Sequence, residues 1–186
     1  MRKIRTYGDP ILKQKALPVV EIDQKIIDFG DILIDTMLEH DGAGLAATQI
    51  GKKIRMMALS IPFPSKNRPP TGFSPGEMLL IPRMPMVFVN PEILRSSEFM
   101  SLKEEGCLSV PKIYGPVSRP VSVVFKAQIL DGEIIECECG GLLARAIQHE
   151  IDHLDGIVFV DRLSDEELEK IRPGLEKIKS GNPGGK

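Results

Sequence analysis

Between Asp23 and His40 the apolar residues Ile26, Ile27, Leu33, Ile34, Met37 and Leu38, with Gly30 among them, recur at helical spacing. Asp23 is placed to cap this stretch and Gly42 to stop it, so the pattern predicts a core-packing amphipathic helix. The period then shortens. Lys53 to Ser60 and Met86 to Asn90 read as short strands, and the proline-rich span Ile61 to Pro85 between them reads as an inserted surface loop with a short strand at Met78 to Ile81. Val121 to Leu130 and Glu133 to Cys139 form the clearest hairpin, joined by Asp131-Gly132, a dipeptide suited to both left-handed positions of a type I′ turn. Gly140-Gly141 breaks the second strand. Leu142, Leu143, Ala146, Ile147 and Ile151 then mark a helix from Leu142 to Leu154, with Gly156 as its stop. Ser164-Asp165-Glu166-Glu167 opens a last helix as a capping box, and Pro173-Gly174 is expected to interrupt it before a Gly-rich, disordered end.

This order of elements predicts an α+β fold in which antiparallel β-sheets surround one central helix, flanked by an N-terminal amphipathic helix and a C-terminal helix. A chain of 186 residues suits one domain. The expected division is a single catalytic domain over 1–163, carrying the insertion at 61–85, and a C-terminal helix with a flexible tail over 164–186. A net charge of -2 and a pI near 6.0 give no general attraction to nucleic acid or anionic membrane. The basic N-terminus has no apolar run behind it, and no later run approaches bilayer length. Three cysteines are an odd number for a disulfide framework and favour a reducing compartment, so a cytoplasmic protein is expected.

The central helix carries Gln148-His149-Glu150-Ile151-Asp152-His153. Imidazoles four residues apart on a helix project from one face and can hold one divalent cation, while the glutamate between them can serve as general base toward an activated water. The bland alternative is a solvated polar helix face. Two of the chain's three histidines fall in this one motif, which favours the metal reading. A third ligand must come from elsewhere. Asp155 and Asp161 downstream offer oxygen, and Cys107 upstream offers a thiol beside Gly106, where the backbone can come close. Gly42 to Gln49 adds small residues that allow close backbone approach and an amide donor suited to an oxyanion.

Taken together, Gly-x-Gly-x-Ala-Ala-x-Gln at 42–49, Glu-Gly-Cys-Leu-Ser at 105–109 and Gln-His-Glu-x-x-His at 148–153 resemble the three signature motifs of bacterial peptide deformylases. The similarity extends through Gly8-Asp9-Pro10-Ile11-Leu12, Asn90-Pro91-Glu92 and His153-Leu154-Asp155-Gly156 to about Leu163. The resemblance implies Cys107, His149 and His153 as metal ligands, Glu150 as general acid/base, and Gln49 with the backbone N–H of Leu108 as oxyanion donors. It implies Fe2+ as the cofactor, with Zn2+, Ni2+ or Co2+ as substitutes, and removal of the formyl group from N-formylmethionyl nascent peptides as the reaction.

The peptide would lie beside Ala43, Gly44 and Gly106, with methionine in a pocket lined by Leu142 and Ala146 and Tyr114 at its entrance. Arg145 reads as a solvated or salt-bridged helix charge rather than a substrate contact. Thr48 stands where many relatives have proline, at a position without a catalytic atom. The final helix lacks the basic bias of a ribosome-docking tail, which leaves the ribosome an open question as a partner; no membrane or direct nucleic-acid role is expected. The competing functions are a metalloendopeptidase, which would draw its third ligand from downstream of the helix, and a catalytically silent deformylase-like binding protein. Elsewhere, Cys137 and Cys139 read as half-buried strand residues rather than a metal clip, His40 as a helix-end charge, and Glu105 and Arg119 as a pair bracing the cysteine loop.

Overall fold

The computed structural model of the chain describes residues 2–62 and 72–181; residues 63–71 of the expected insertion and the Gly-rich end lie outside them. The helices are α1 (Gln24–Glu39), α2 (Pro75–Leu80), α3 (Gly141–Leu154) and α4 (Asp165–Ser180). The strands are β1 (Gly44–Ala46), β2 (Met56–Leu59), β3 (Met86–Ser96), β4 (Met100–Cys107), β5 (Val110–Pro120), β6 (Ser122–Gln128) and β7 (Ile134–Gly140). Five strands form an antiparallel sheet in the order β1-β2-β3-β6-β7, and β4 pairs with β5 in a separate antiparallel sheet. The expected α+β class, with antiparallel sheets around a central helix, is borne out. Among the described residues no helix is long and apolar enough to cross a membrane.

The centre of the larger sheet is covered on both faces, which explains why β2 and the start of β3 read as continuous apolar runs rather than as alternation. Met57, Leu59, Met86 and Phe88 face α3, whose Leu143, Ala144, Ile147, Ile151 and Leu154 complete one core. Met56, Ala58, Val87 and Val89 face α1, packing with Phe29, Leu33 and Met37. Burying one such leucine or isoleucine stabilises the fold by about 1.5–3 kcal/mol. Asp23 caps α1 as expected, its Oδ1 accepting from the Ile26 N–H at 3.0 Å.

Several local expectations are corrected. Met78 to Ile81 is not a strand, since α2 takes its first three residues and a 3-10 turn begins at Ile81. A four-residue apolar run has no period of its own, and the Ser74 cap decides it: the Ser74 N–H donates to Glu77 Oε2 at 2.9 Å, with Pro75 opening the helix. The β6–β7 hairpin is present, but Gly132 alone of the turn dipeptide has positive φ. Its loop closes from the Ile129 N–H to the Glu133 carbonyl at 2.9 Å and holds three residues, which replaces the type I′ turn. Strand β3 runs past Asn90 to Ser96, because a bulge at Asn90 (φ 51°) and Pro91 absorbs the register shift. Helix α4 is not interrupted at Pro173-Gly174. Its stripe of Leu168, Ile171, Leu175 and Ile178 packs on Val110, Val117 and Ile113 of β5, which outweighs the hydrogen bond lost at proline.

Candidate metal centre

Cys107 ends β4, and His149 and His153 follow each other by one turn on α3. Their donor atoms all lie within 4.8 Å of one another, with Cys107 Sγ 3.0 Å from His153 Nε2. His149 Nδ1 lies 2.9 Å from Glu105 Oε2. An ionised carboxylate can only accept, so Nδ1 carries the hydrogen and the lone pair of Nε2 is left for a cation. One thiolate and two imidazoles are a donor set suited to Zn2+, Fe2+ and similar divalent ions. Burial pushes the Cys107 thiol up, but the facing imidazoles of His153 and His149 outweigh it and hold the group well below the ordinary thiol value.

Glu105 is the hub of a buried ion cluster. Its carboxylate receives Arg119 in a two-pronged pairing at 2.6 and 2.8 Å and also the Arg145 guanidinium at 2.6 Å. Arg119 reaches on to Asp152 Oδ2 at 2.8 Å, and Asp152 takes Arg162 with both oxygens. Burial alone would raise the Glu105 pKa, yet the Arg119 and His149 bonds and charges drive it far below the usual carboxylate range. The expected Glu105–Arg119 pairing is thus present. Arg145 is salt-bridged as expected and also lines the cavity described below.

Glu150 is 4% exposed, and its Oε2 has no hydrogen-bond partner among the described residues; the same holds for the buried His153 Nδ1. Burial raises the Glu150 pKa, and the Cys107 charge adds to this against the lowering effect of the two histidines. Gly44 gives this carboxylate its space, since a Cβ there would stand 2.8 Å from Glu150 Cδ. Gln49 is 1% exposed, rather than the solvated side chain that glutamine usually is. Its Oε1 accepts from the Ala46 N–H at 2.7 Å, while its amide donates to Ser109 Oγ at 3.2 Å and to Cys107 Sγ at 3.4 Å. The orientation of the amide is therefore settled by bonds on both of its ends.

These groups open onto a cavity of about 580 Å³. Ala43, Gly44, Gly106, Leu108, Leu142 and Ala146 line it with Gln49, Cys107, His149 and Glu150. Tyr114, 63% exposed, stands on its rim, and its ring lies where a Cβ on Gly106 would fall. Every site residue expected from the sequence except the deeply set His153 is in this lining. The downstream aspartates are not at the centre: Asp155 Oδ1 pairs with Arg55 at 2.7 Å, and Asp161 pairs with Lys13.

Sequence reasoning missed Asp152, Arg162 and Ser109, and it dismissed Thr48, whose hydroxyl donates to the His153 carbonyl at 3.1 Å. Asp152 had a visible signal, since it lies three residues after His149 and shares its helix face. Arg162, ten residues beyond Asp152, had none, and Ser109 was visible only as the last residue of the cysteine motif, its partner Gln49 being distant in sequence.

Residues 1–169 match the polypeptide deformylase family model. A peptide deformylase of Dictyoglomus thermophilum is 42% identical over 168 residues, covering 90% of this chain and 96% of its own. One of Mesorhizobium japonicum is 38% identical over 178 residues, covering 96% and 93%. A solved peptide deformylase of Plasmodium falciparum superposes with a TM-score of 0.83 at 29% identity, covering 96% of each chain. Motifs, fold and donor set agree with these matches, and the chain belongs to the polypeptide deformylase family of metal-dependent hydrolases.

Proposed function

We propose that this chain removes the formyl group from the N-formylmethionyl end of newly made peptides in the cytoplasm, releasing formate, with one Fe2+ held by Cys107, His149 and His153. The observation that carries the reading is Glu150, a buried carboxylate with a free oxygen beside a thiolate and two imidazoles. When bound, the cation supplies a Lewis acid that lowers the pKa of a water toward neutrality, and Zn2+, Ni2+ or Co2+ would suit the same donors. Glu150 takes the proton from the attacking water and returns it to the leaving amine. Burial raises its pKa, which helps it hold the proton between the two halves of that exchange.

As the formyl carbon becomes tetrahedral, the Gln49 amide and the Leu108 N–H donate to the developing oxyanion, each contributing about 2.7–4 kcal/mol. The peptide backbone adds as a strand beside Ala43, Gly44 and Gly106. Methionine fills the pocket formed by Leu142 and Ala146, with Tyr114 across the entrance. The pairing of Asp155 with Arg55 weighs against the endopeptidase reading, which needs a downstream ligand. The test is formate release from formyl-Met-Ala-Ser by protein purified anaerobically with Fe2+ or reconstituted with Ni2+, alongside Glu150→Gln. Release by the wild type alone is expected; no release from protein holding one metal per chain with Cys107 intact would overturn the assignment.

A further inference from the structure

Two sulfur atoms meet outside the cavity lining. Cys137 and Cys139 share one face of β7, their Sγ atoms 3.8 Å apart, with Cys139 fully buried and Cys137 half-buried. Helix α2 covers them at Gly76, where a Cβ would stand 3.1 Å from Cys137 Sγ and collide with Cys139 Sγ. The cover is tied down by Ser74 Oγ, which accepts from the Gly140 N–H at 2.8 Å. Among the described residues, Cys107, His149 and His153 are the only three His, Cys, Asp or Glu side chains grouped closely enough to share a cation. The sulfur pair therefore lacks the third donor that a metal clip requires. Two thiols in contact have another chemistry available.

We infer that Cys137 and Cys139 are a reversible dithiol–disulfide pair, oxidised by a hydroperoxide at the half-buried Cys137 and closed by the buried Cys139. In the first step Cys137 sulfur attacks a peroxide oxygen; the S–O bond forms, the O–O bond breaks, and the alcohol or water leaves with the thiol proton. Cys139 sulfur then attacks Cys137 sulfur, forming S–S and breaking S–O, and water leaves with the second thiol proton. The two sulfurs lose two electrons and the peroxide gains them.

The order of the steps follows access. Cys137, half-buried, is the more accessible of the two thiols, and its pKa is lowered by the hydrogen bond with Cys139, which favours the nucleophilic thiolate. Alternate residues of a strand lie about 6.6–6.8 Å apart at Cα, the upper end of what a disulfide spans, so the bond is expected to be easily reduced.

The test treats the zinc-loaded protein, in which the cation has no redox chemistry of its own, with one equivalent of hydrogen peroxide and follows the tryptic peptide 127–145 by mass spectrometry. That peptide should lose two hydrogens and regain them with dithiothreitol. Cys139→Ser should stop at a dimedone-reactive sulfenic acid on Cys137, and Cys137→Ser should leave Cys139 unmodified, so one well-folded variant suffices. An unmodified wild-type peptide, or one carrying sulfinic acid in place of the disulfide, would overturn the inference. Neither readout depends on formate release.

Discussion

The two long faces of α3 are built from opposite materials. Toward the five-stranded sheet it presents Leu143, Ala144, Ile147, Ile151 and Leu154, packed into one apolar cluster. Toward β4 and β5 it presents Arg145, Gln148, His149 and Asp152, each bonded to a specific atom across the gap. The apolar face stabilises the helix through area, which many side chains of similar volume supply. The polar face fixes the ring of His149 through a chain of charges, in which the loss of one member strands the others in a dry interior. One face therefore sets whether the helix is there, and the other sets where its donors point.

Glu150 belongs to neither face in this sense, because its free oxygen supports nothing structural. Glu150→Gln is expected to lower formate release about 10²–10⁴-fold, with metal content kept. Its melting temperature should not fall, since burial makes the ionised carboxylate a cost to the folded state. A drop in thermal stability would show that the carboxylate does belong to the ion cluster.

The next largest effect is on the polar face. Arg119→Ala leaves Glu105 and Asp152 without their shared cation and should destabilise the protein by about 3–5 kcal/mol in urea unfolding. It should also weaken metal binding about 10–100-fold in chelator competition, because Glu105 orients His149. Loss of stability with unchanged metal affinity would separate the cluster from the metal centre.

The same face has a pH signature. The folded-state pKa of Glu105 is depressed, so its stabilisation is complete above the unfolded value of about 4.3 and disappears as pH falls toward the folded value. Melting temperatures of chelated protein between about pH 5 and 2 should fall more steeply for wild type than for Glu105→Gln. Parallel curves would show that other carboxylates govern the acid transition. On the apolar face, Ile147→Val should cost only about 0.5–1.5 kcal/mol and leave formate release unchanged. A large loss of activity there would erase the contrast between the faces.

What could be read in the sequence divides along the same line. Helices α1 and α3 and the β6–β7 hairpin were legible because their period, caps and turn residues are local. His149, Glu150 and His153 share one helical turn, and the motif around Cys107 could be recognised although it lies far away in sequence. Strand β4 was not legible, since half of it is exposed and it carries charges at Lys103, Glu104 and Glu105 without apolar alternation. The Ser74–Glu77 cap was overlooked because proline and glycine around it suggested loop. The wider ion cluster escaped because Asp152, which also holds Arg162, meets Arg119 only after β5 has folded against α3. Likewise, nothing near Gln49 in sequence foretells Ser109 as the partner of its amide.

The Arg5 N–H donates to the Gln49 carbonyl at 2.7 Å, and the Tyr7 N–H donates to the Ser109 carbonyl at 2.8 Å, so the N-terminal arm joins the loop of the amide donor to the loop of the thiol. Translated into time, this arm leaves the ribosome long before its second partner exists. At about 5–20 residues per second, roughly a hundred further residues separate the two by about 5–20 s. The arm's tether to the Gln49 loop can therefore form before its tether to the Ser109 loop, and the two loops are joined only once the second is made.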